Sequence, residues 1–247
     1  MELKDFFKEN PKLALAYSGG VDSSFLLYAA KQSGADVRAY MVLSPFQPAF
    51  ELEGAKRTAK KLGVALEIIE LDVLKDKRIK ENSALRCYYC KSLILKSIAE
   101  RAAQQGYFTI IDGTNASDKS EDRPGMRALE EIGVLSPLKL CKITKEQLRS
   151  GLKEAGFDIW DKPSYSCLAT RVKTGESIEP ERLQKIDEAE EKIRALGFKD
   201  IRLRTQQGGA KLELQKEDIE KAFQNKKALD NIIIEKFGSY EIGERRT

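Results

Sequence analysis

Leu13-Ala14-Leu15-Ala16-Tyr17-Ser18-Gly19-Gly20-Val21-Asp22-Ser23-Ser24-Phe25-Leu26-Leu27 decides how the rest of this 247-residue chain is read. It opens with a short apolar run, which a parallel strand needs when helices cover both of its faces. Two glycines follow, and then Val21, Phe25, Leu26, Ala29 and Ala30 recur at helical spacing. Residues 18–24 are therefore expected to turn from a strand into a helix at the carboxyl edge of a sheet. Glycines let backbone approach a ligand closely, and N–H groups at a helix start favour an anion. The hydroxyls of Ser18, Ser23 and Ser24 add donors to the same concavity. The expected element is a phosphate cradle. It is not a Walker loop, which needs Gly-x-x-x-x-Gly-Lys-Ser/Thr, nor a Gly-x-Gly-x-x-Gly dinucleotide turn.

Outward from the cradle, strand and helix patterns alternate. A short helix over 2–9 comes first, and strands are expected over 36–43, 64–71 and 107–111, with helices over 51–62 and 91–105. Beyond them, 124–133 reads as a helix, 134–138 as a short strand and 144–155 as a helix with a Thr144/Gln147 capping box. The order predicts an α/β domain with a parallel sheet and helices on both faces, over residues 1–165. After the linker-like stretch 160–171 the pattern changes. Residues 171–174, 201–205, 211–214 and 239–242 read as strands, and 178–196 and 217–237 as helices. This βαββαβ order predicts a smaller α+β, ferredoxin-like domain over 166–247.

Composition narrows the function classes. Lys plus Arg total 43 against 39 Asp plus Glu, a net charge of +4, and the part from residue 177 onward is balanced. A domain that grips a nucleic-acid backbone is expected to be distinctly basic, so no nucleic-acid partner is expected. No apolar run approaches the roughly 20 residues of a membrane span. The start, Met1-Glu2-Leu3-Lys4-Asp5, offers no signal-peptide core, so a cytoplasmic protein without a membrane partner is expected. Histidine is absent, which removes imidazole bases and His-ligated zinc. Chemistry must fall to carboxylates, thiols, lysines, phosphates or a bound metal.

Asp112-Gly113-Thr114-Asn115-x-x-Asp118 follows a strand, and so falls at the edge where ligands bind in open α/β sheets. Asp112, Thr114, Asn115 and Asp118 are expected at the adenine, ribose and magnesium side of an ATP site. Arg123 and Arg171 are candidate phosphate clamps, because a guanidinium offers a planar fork. Asp22 is a candidate magnesium ligand or a helix-start residue. Of the four cysteines, Cys87 and Cys90 form a Cys-x-x-Cys at an expected helix start, where the dipole favours thiolates. With a third thiolate, Cys167, they could hold three irons of a four-iron cluster; a redox pair or structural zinc are the other readings. Cys141 follows an apolar segment and reads as a small buried hydrophobe.

Ser-Gly-Gly-Val-Asp-Ser-Ser over 18–24 resembles the pyrophosphate loop of the PP-loop ATP pyrophosphatases, which adenylate a substrate oxygen and release pyrophosphate. Further stretches extend the likeness: Arg86-Cys87-Tyr88-Tyr89-Cys90-Lys91, Asp112-Gly113-Thr114-Asn115, Asp122-Arg123-Pro124-Gly125, Gly133-Val134-Leu135-Ser136-Pro137-Leu138, and Lys162-Pro163 with Cys167-Leu168-Ala169-Thr170-Arg171. Together they resemble the LarE family over essentially the whole chain. That resemblance implies sulfur transfer to pyridinium-3,5-biscarboxylic acid mononucleotide, with ATP and Mg²⁺, for the nickel-pincer nucleotide cofactor. It implies activation of each carboxylate as an acyl adenylate, then thiocarboxylate formation. Sulfur comes either from the cysteine matching Cys167 or, in the subtype with Cys87 and Cys90 that this sequence resembles, from sulfide or a sulfur donor through a [4Fe-4S] cluster. Ser18, Gly19, Gly20, Asp22, Ser23 and Ser24 would bind ATP. Glu190, Arg202 and Arg204 would stand around the substrate, with one of the two arginines expected to face it. A homo-oligomer is also implied. The alternatives are a tRNA thiolase of the same ATPase class, or an ATP- and metal-binding regulatory module without turnover.

Overall fold

A computed structural model of the chain describes residues 1–118 and 124–245, which divide into two compact units. The first comprises Met1–Ser44, Ala49–Val73 and Cys87–Ser164; the second comprises Pro45–Pro48, Leu74–Arg86 and Tyr165–Thr247. The late division thus falls between residues 164 and 165. Two short earlier segments, expected with the first domain, go with the second.

The first unit begins with α1 (Leu3–Glu9), β1 (Lys12–Ala16), α2 (Val21–Gln32), β2 (Asp36–Leu43), α3 (Ala49–Leu62) and β3 (Leu66–Glu70). The short α4 (Lys77–Lys80) belongs to the second unit, and α5 (Arg86–Gln104) follows it. β4 (Ile110–Asp112), α6 (Pro124–Ile132), α7 (Pro137–Leu140) and α8 (Lys145–Glu154) complete the first unit. Its four strands are parallel in the order β3-β2-β1-β4. Alternation along β1 sends Leu13 and Leu15 to one face, where they pack with Leu26, Leu27, Ala55 and Leu148. It sends Ala14 to the other face, with Leu95, Ile98 and Leu129. Both faces are therefore covered, which is why β1 is apolar throughout its middle. At about 25 cal/mol per Å² of apolar surface, these two layers are the main source of the unit's stability.

The second unit continues with α9 (Pro180–Ala195), β5 (Ile201–Gln206), β6 (Gly209–Leu214), α10 (Ile219–Gln224), α11 (Lys226–Phe237) and β7 (Tyr240–Glu244). β5 pairs antiparallel with β6, and β6 pairs parallel with β7. The buried set Ile201, Leu203, Ala210, Leu212 and Leu214 lies against Ala189 and Ile193 of α9 and Leu229 and Ile233 of α11. The tight β5–β6 hairpin turns at Gly208, whose φ of +81° favours glycine.

Several expectations are corrected. Residues 171–174 form no strand, so the smaller sheet has three strands and not the four of a βαββαβ unit. Leu168–Arg171 is instead a 3₁₀ turn, because Arg171 Nη1 donates back to the Ser166 carbonyl and curls the chain. The strand expected over 134–138 reduces to one bridge between Ile111 and Leu135, since Pro137 lacks an N–H and opens α7 instead. Cys141 therefore caps α7, half-buried against the core, with its thiol pKa raised by burial. The helix expected over 217–237 breaks at Asn225, whose side chain donates to the Lys221 carbonyl. Helix α5 begins at Arg86, earlier than expected, and so carries both cysteines of the Cys-x-x-Cys in its first turns.

Candidate ATP site

The cradle leaves the carboxyl end of β1 and enters α2 at Gly20, the N-cap, with extended backbone. Gly19 is left-handed, at φ +72°, and a Cβ there would stand 2.8 Å from the Ala55 Cβ. Only glycine meets both the torsion and the close approach to α3. The loop is braced from within. Gly20 N–H donates to Ser18 Oγ, Ser18 and Ser23 hydroxyls lie 3.0 Å apart, and Ser23 Oγ donates to the Gly20 carbonyl. Ser24, expected among the ligand donors, is buried and hydrogen-bonded to the Tyr17 hydroxyl at 3.1 Å, which makes it a support of the loop.

The Asp112–Asp118 loop leaves the adjacent strand, β4, at the same edge. A Cβ on Gly113 would meet Ser23 N at 2.8 Å, so the two loops touch backbone to backbone. Asp112 is buried and accepts from Thr114 N, Thr114 Oγ1 and Ser136 Oγ. Asp118 accepts from Asn115 N, and Asn115 Oδ1 from Ser117 N. Asn115 is 1% exposed, and its Nδ2 has no hydrogen-bond partner. Asp22 Oδ1 is likewise buried and unpartnered. Buried polar groups are almost always satisfied, so two such atoms on the two facing loops mark a place for polar ligand groups. Arg123 lies outside the described residues.

Cations that sequence reasoning missed surround the cradle. Lys145 Nζ stands 2.8 Å from Asp22 Oδ2. Lys162 Nζ bonds Glu51 at 2.5 Å and the Gly19 carbonyl at 3.3 Å, and Lys91 Nζ lies 3.7 Å from Asp112. Lys162 stood in a quoted motif without a role. Lys145 gave no signal, because its place follows only from where α8 packs.

In the second unit, Arg171 is not an exposed clamp. It is 1% exposed, with Nε and Nη2 on the two Glu190 oxygens at 2.8 and 3.1 Å and Nη1 on Ser166 and Thr170. Burial alone would lower its pKa, but the Glu190 carboxylate holds it above the ordinary value. Glu190 is fully buried and also accepts from the Leu203 amide and from Tyr165 Oη. Glu190, expected around the substrate, is thus enclosed by protein groups. Burial first, then Glu190, pushes the Tyr165 pKa up. Arg202 and Arg204 stand two apart on β5 and share the face opposite Ile201 and Leu203, so both, not one, point the same way. Arg204 bonds Glu213 and the Thr170 carbonyl. Burial, with Arg171 and Arg204 nearby, presses the Arg202 pKa down.

Cys87 and Cys90 belong to the first unit and Cys167 to the second. Cys87 and Cys167 are exposed, Cys90 is half-buried, and no disulfide joins them. Three reduced thiols, two of them three residues apart at a helix start, suit an iron–sulfur donor set chemically. Among the described residues, no three His, Cys, Asp or Glu side chains are gathered closely enough to hold a metal ion.

Comparison with known proteins adds the family. The family model described as queuosine biosynthesis protein QueC matches residues 12–116, which contain the cradle and the Asp112 loop. An uncharacterized protein of Synechocystis is 36% identical over 90% of this chain and 84% of its own length. An uncharacterized protein of Methanocaldococcus jannaschii is 34% identical over 96% and 89%. The pyridinium-3,5-bisthiocarboxylic acid mononucleotide synthase of Lactiplantibacillus plantarum is 30% identical over 84% and 76%. A parallel sheet with a Ser-Gly-Gly-Val-Asp-Ser-Ser turn at its carboxyl edge defines an enzyme of the PP-loop ATP pyrophosphatase class. Within that class, the chain belongs to the LarE family.

Proposed function

We propose that this chain is an ATP-dependent sulfurtransferase that converts the carboxylates of pyridinium-3,5-biscarboxylic acid mononucleotide into thiocarboxylates during nickel-pincer nucleotide biosynthesis. The observation that carries the reading is the braced cradle facing the Asp112 loop, in a chain of the family that includes the Lactiplantibacillus synthase. In the first step a substrate carboxylate oxygen attacks the α-phosphorus of ATP, and pyrophosphate leaves with the electron pair of the broken bond. Ser18, Gly19, Gly20 and Ser23 would hold the departing pyrophosphate through the loop and the start of α2. Asp22 would hold Mg²⁺, while Asp112, Thr114, Asn115 and Asp118 would position the nucleoside. In the second step a sulfur nucleophile adds to the acyl carbon and AMP departs.

Arg202 and Arg204 would face the substrate's anionic groups. The lowered Arg202 pKa, set first by burial and then by Arg171 and Arg204, supports this, since an anion would offset both. Arg171 and Glu190 would serve as the buried frame behind them. Cys87, Cys90 and Cys167 would hold a [4Fe-4S] cluster, which would supply the sulfur when bound; otherwise Cys167 would give up its own. The thiol chemistry of the three residues supports the first route.

Anaerobic iron and sulfide analysis, with mass spectrometry of the chain before and after turnover, tests the reading. A brown protein whose absorption is lost in Cys87→Ala fits delivered sulfur. A colourless, active protein that loses the mass of hydrogen sulfide, as Cys167 becomes dehydroalanine, fits sacrifice of Cys167. No pyrophosphate release with the dicarboxylate substrate would sink the proposal altogether.

A further inference from the structure

We propose that Lys145 is the cation that takes the pyrophosphate leaving group in the cradle. The inference rests on the ATP reading above and extends it to a residue outside the stretches that carry the family likeness. The loop 18–24 contains no basic residue, unlike a Walker loop with its lysine. When the bond between the α-phosphorus and its bridging oxygen breaks, both electrons remain on that oxygen. Negative charge therefore grows on the pyrophosphate, and a positioned cation stabilises it. Such a cation must come from elsewhere in the chain.

Lys145 is placed for this by its backbone. It is the first residue of α8, where the helix dipole adds positive potential. Its amide donates to Ser117 Oγ at 3.0 Å, and the Ala116 amide donates to the Ile143 carbonyl at 2.9 Å, so the start of α8 is tied to the Asp112–Asp118 loop. The Thr144–Gln147 capping box fixes the same turn. With the backbone held, only the side chain has freedom, and in the structure Nζ lies on Asp22 Oδ2 at 2.8 Å. That pair is a quarter to a third exposed, the kind of ion pair that holds weakly and can exchange partners. Asp22 keeps a second oxygen, buried and without a partner, for another cation. A polyanion in the cradle would then compete for the ammonium, drawing it a short way from carboxylate to phosphate. Lys162 is a poorer candidate. Its bond to Glu51 is more buried, and its second bond, to the Gly19 carbonyl, makes it a brace of the loop.

The test is calorimetric binding of inorganic pyrophosphate with magnesium to the full chain, with AMP as a second probe. Lys145→Met is expected to weaken pyrophosphate binding by ~10-fold or more, the usual worth of a charge-assisted hydrogen bond, while AMP binding holds. Lys145→Arg is expected to restore most of the affinity, and both variants to melt within ~2 °C of the wild type, as surface substitutions do. Unchanged pyrophosphate affinity in Lys145→Met, or equal loss of pyrophosphate and AMP, overturns the assignment of Lys145. A wild-type chain that binds neither pyrophosphate nor ATP overturns the ATP reading beneath it, which is a different result.

Discussion

At the scale of single residues, the Arg171–Glu190 pair shows how burial redefines a side chain's role. Both are fully enclosed, and between them they meet Tyr165, Ser166, Thr170 and the Leu203 amide. Removing one charge leaves the other buried and uncompensated, which is costly even though the intact pair adds little. Glu190→Gln should destabilise the chain by about 3–5 kcal/mol in urea titration. A loss below 1 kcal/mol would show that solvent reaches the pair. Arg171 was legible as special from its motif, and Glu190 only from the family likeness. Their burial was not, because it depends on α9, β5 and the 168–171 turn closing around them. Arg202 and Arg204, by contrast, needed only the two-residue period of a strand to be placed on one face.

At the scale of elements, the cradle is the segment where local rules and structure agree most closely. An apolar strand, two glycines and a helical repeat give β1, the turn and α2 without outside help. The one tertiary demand is at Gly19, where α3 leaves no room for a methyl group. Gly19→Ala should therefore displace the loop and lower kcat/KM for ATP by ~10²-fold, with the far-UV spectrum unchanged. Activity within a factor of three of wild type would mean the loop does not bind the phosphates. Elsewhere local rules competed. Residues 171–174 have strand-like composition yet form a turn, because side-chain hydrogen bonds from Arg171 and Thr170 to the Ser166 and Cys167 carbonyls outweigh a ladder with no neighbour. Residues 134–138 are interrupted by a proline, and Asn225 breaks what reads as one long helix.

At the scale of the whole molecule, composition itself makes a pH prediction. With no histidine, no imidazole titrates between pH 6 and 7. Burial, meanwhile, is the largest cause raising the pKa of Tyr17, Tyr40, Tyr107, Tyr165 and Tyr240. In the unfolded chain these phenols would ionise near pH 10, while in the fold they keep their protons to higher pH. The stability they contribute is therefore complete below about pH 10 and is lost as pH rises beyond it. Urea midpoints should be flat from about pH 6 to 7 and fall above pH 10, less steeply in Tyr165→Phe. A midpoint that rises above pH 10 would contradict this.

The sequence by itself determined the class of the fold, the cradle and the acidic loop beside it. Those follow from hydrophobic period and from glycine and hydroxyl chemistry over a dozen contiguous residues. Only the tertiary structure decided that Lys145 and Lys162 join the cradle from 123 and 143 residues away, or that Arg171 faces Glu190 in place of a phosphate. The physical reason is range. Backbone conformation answers to near neighbours, whereas the partner of a charge is set by packing between elements far apart in the chain.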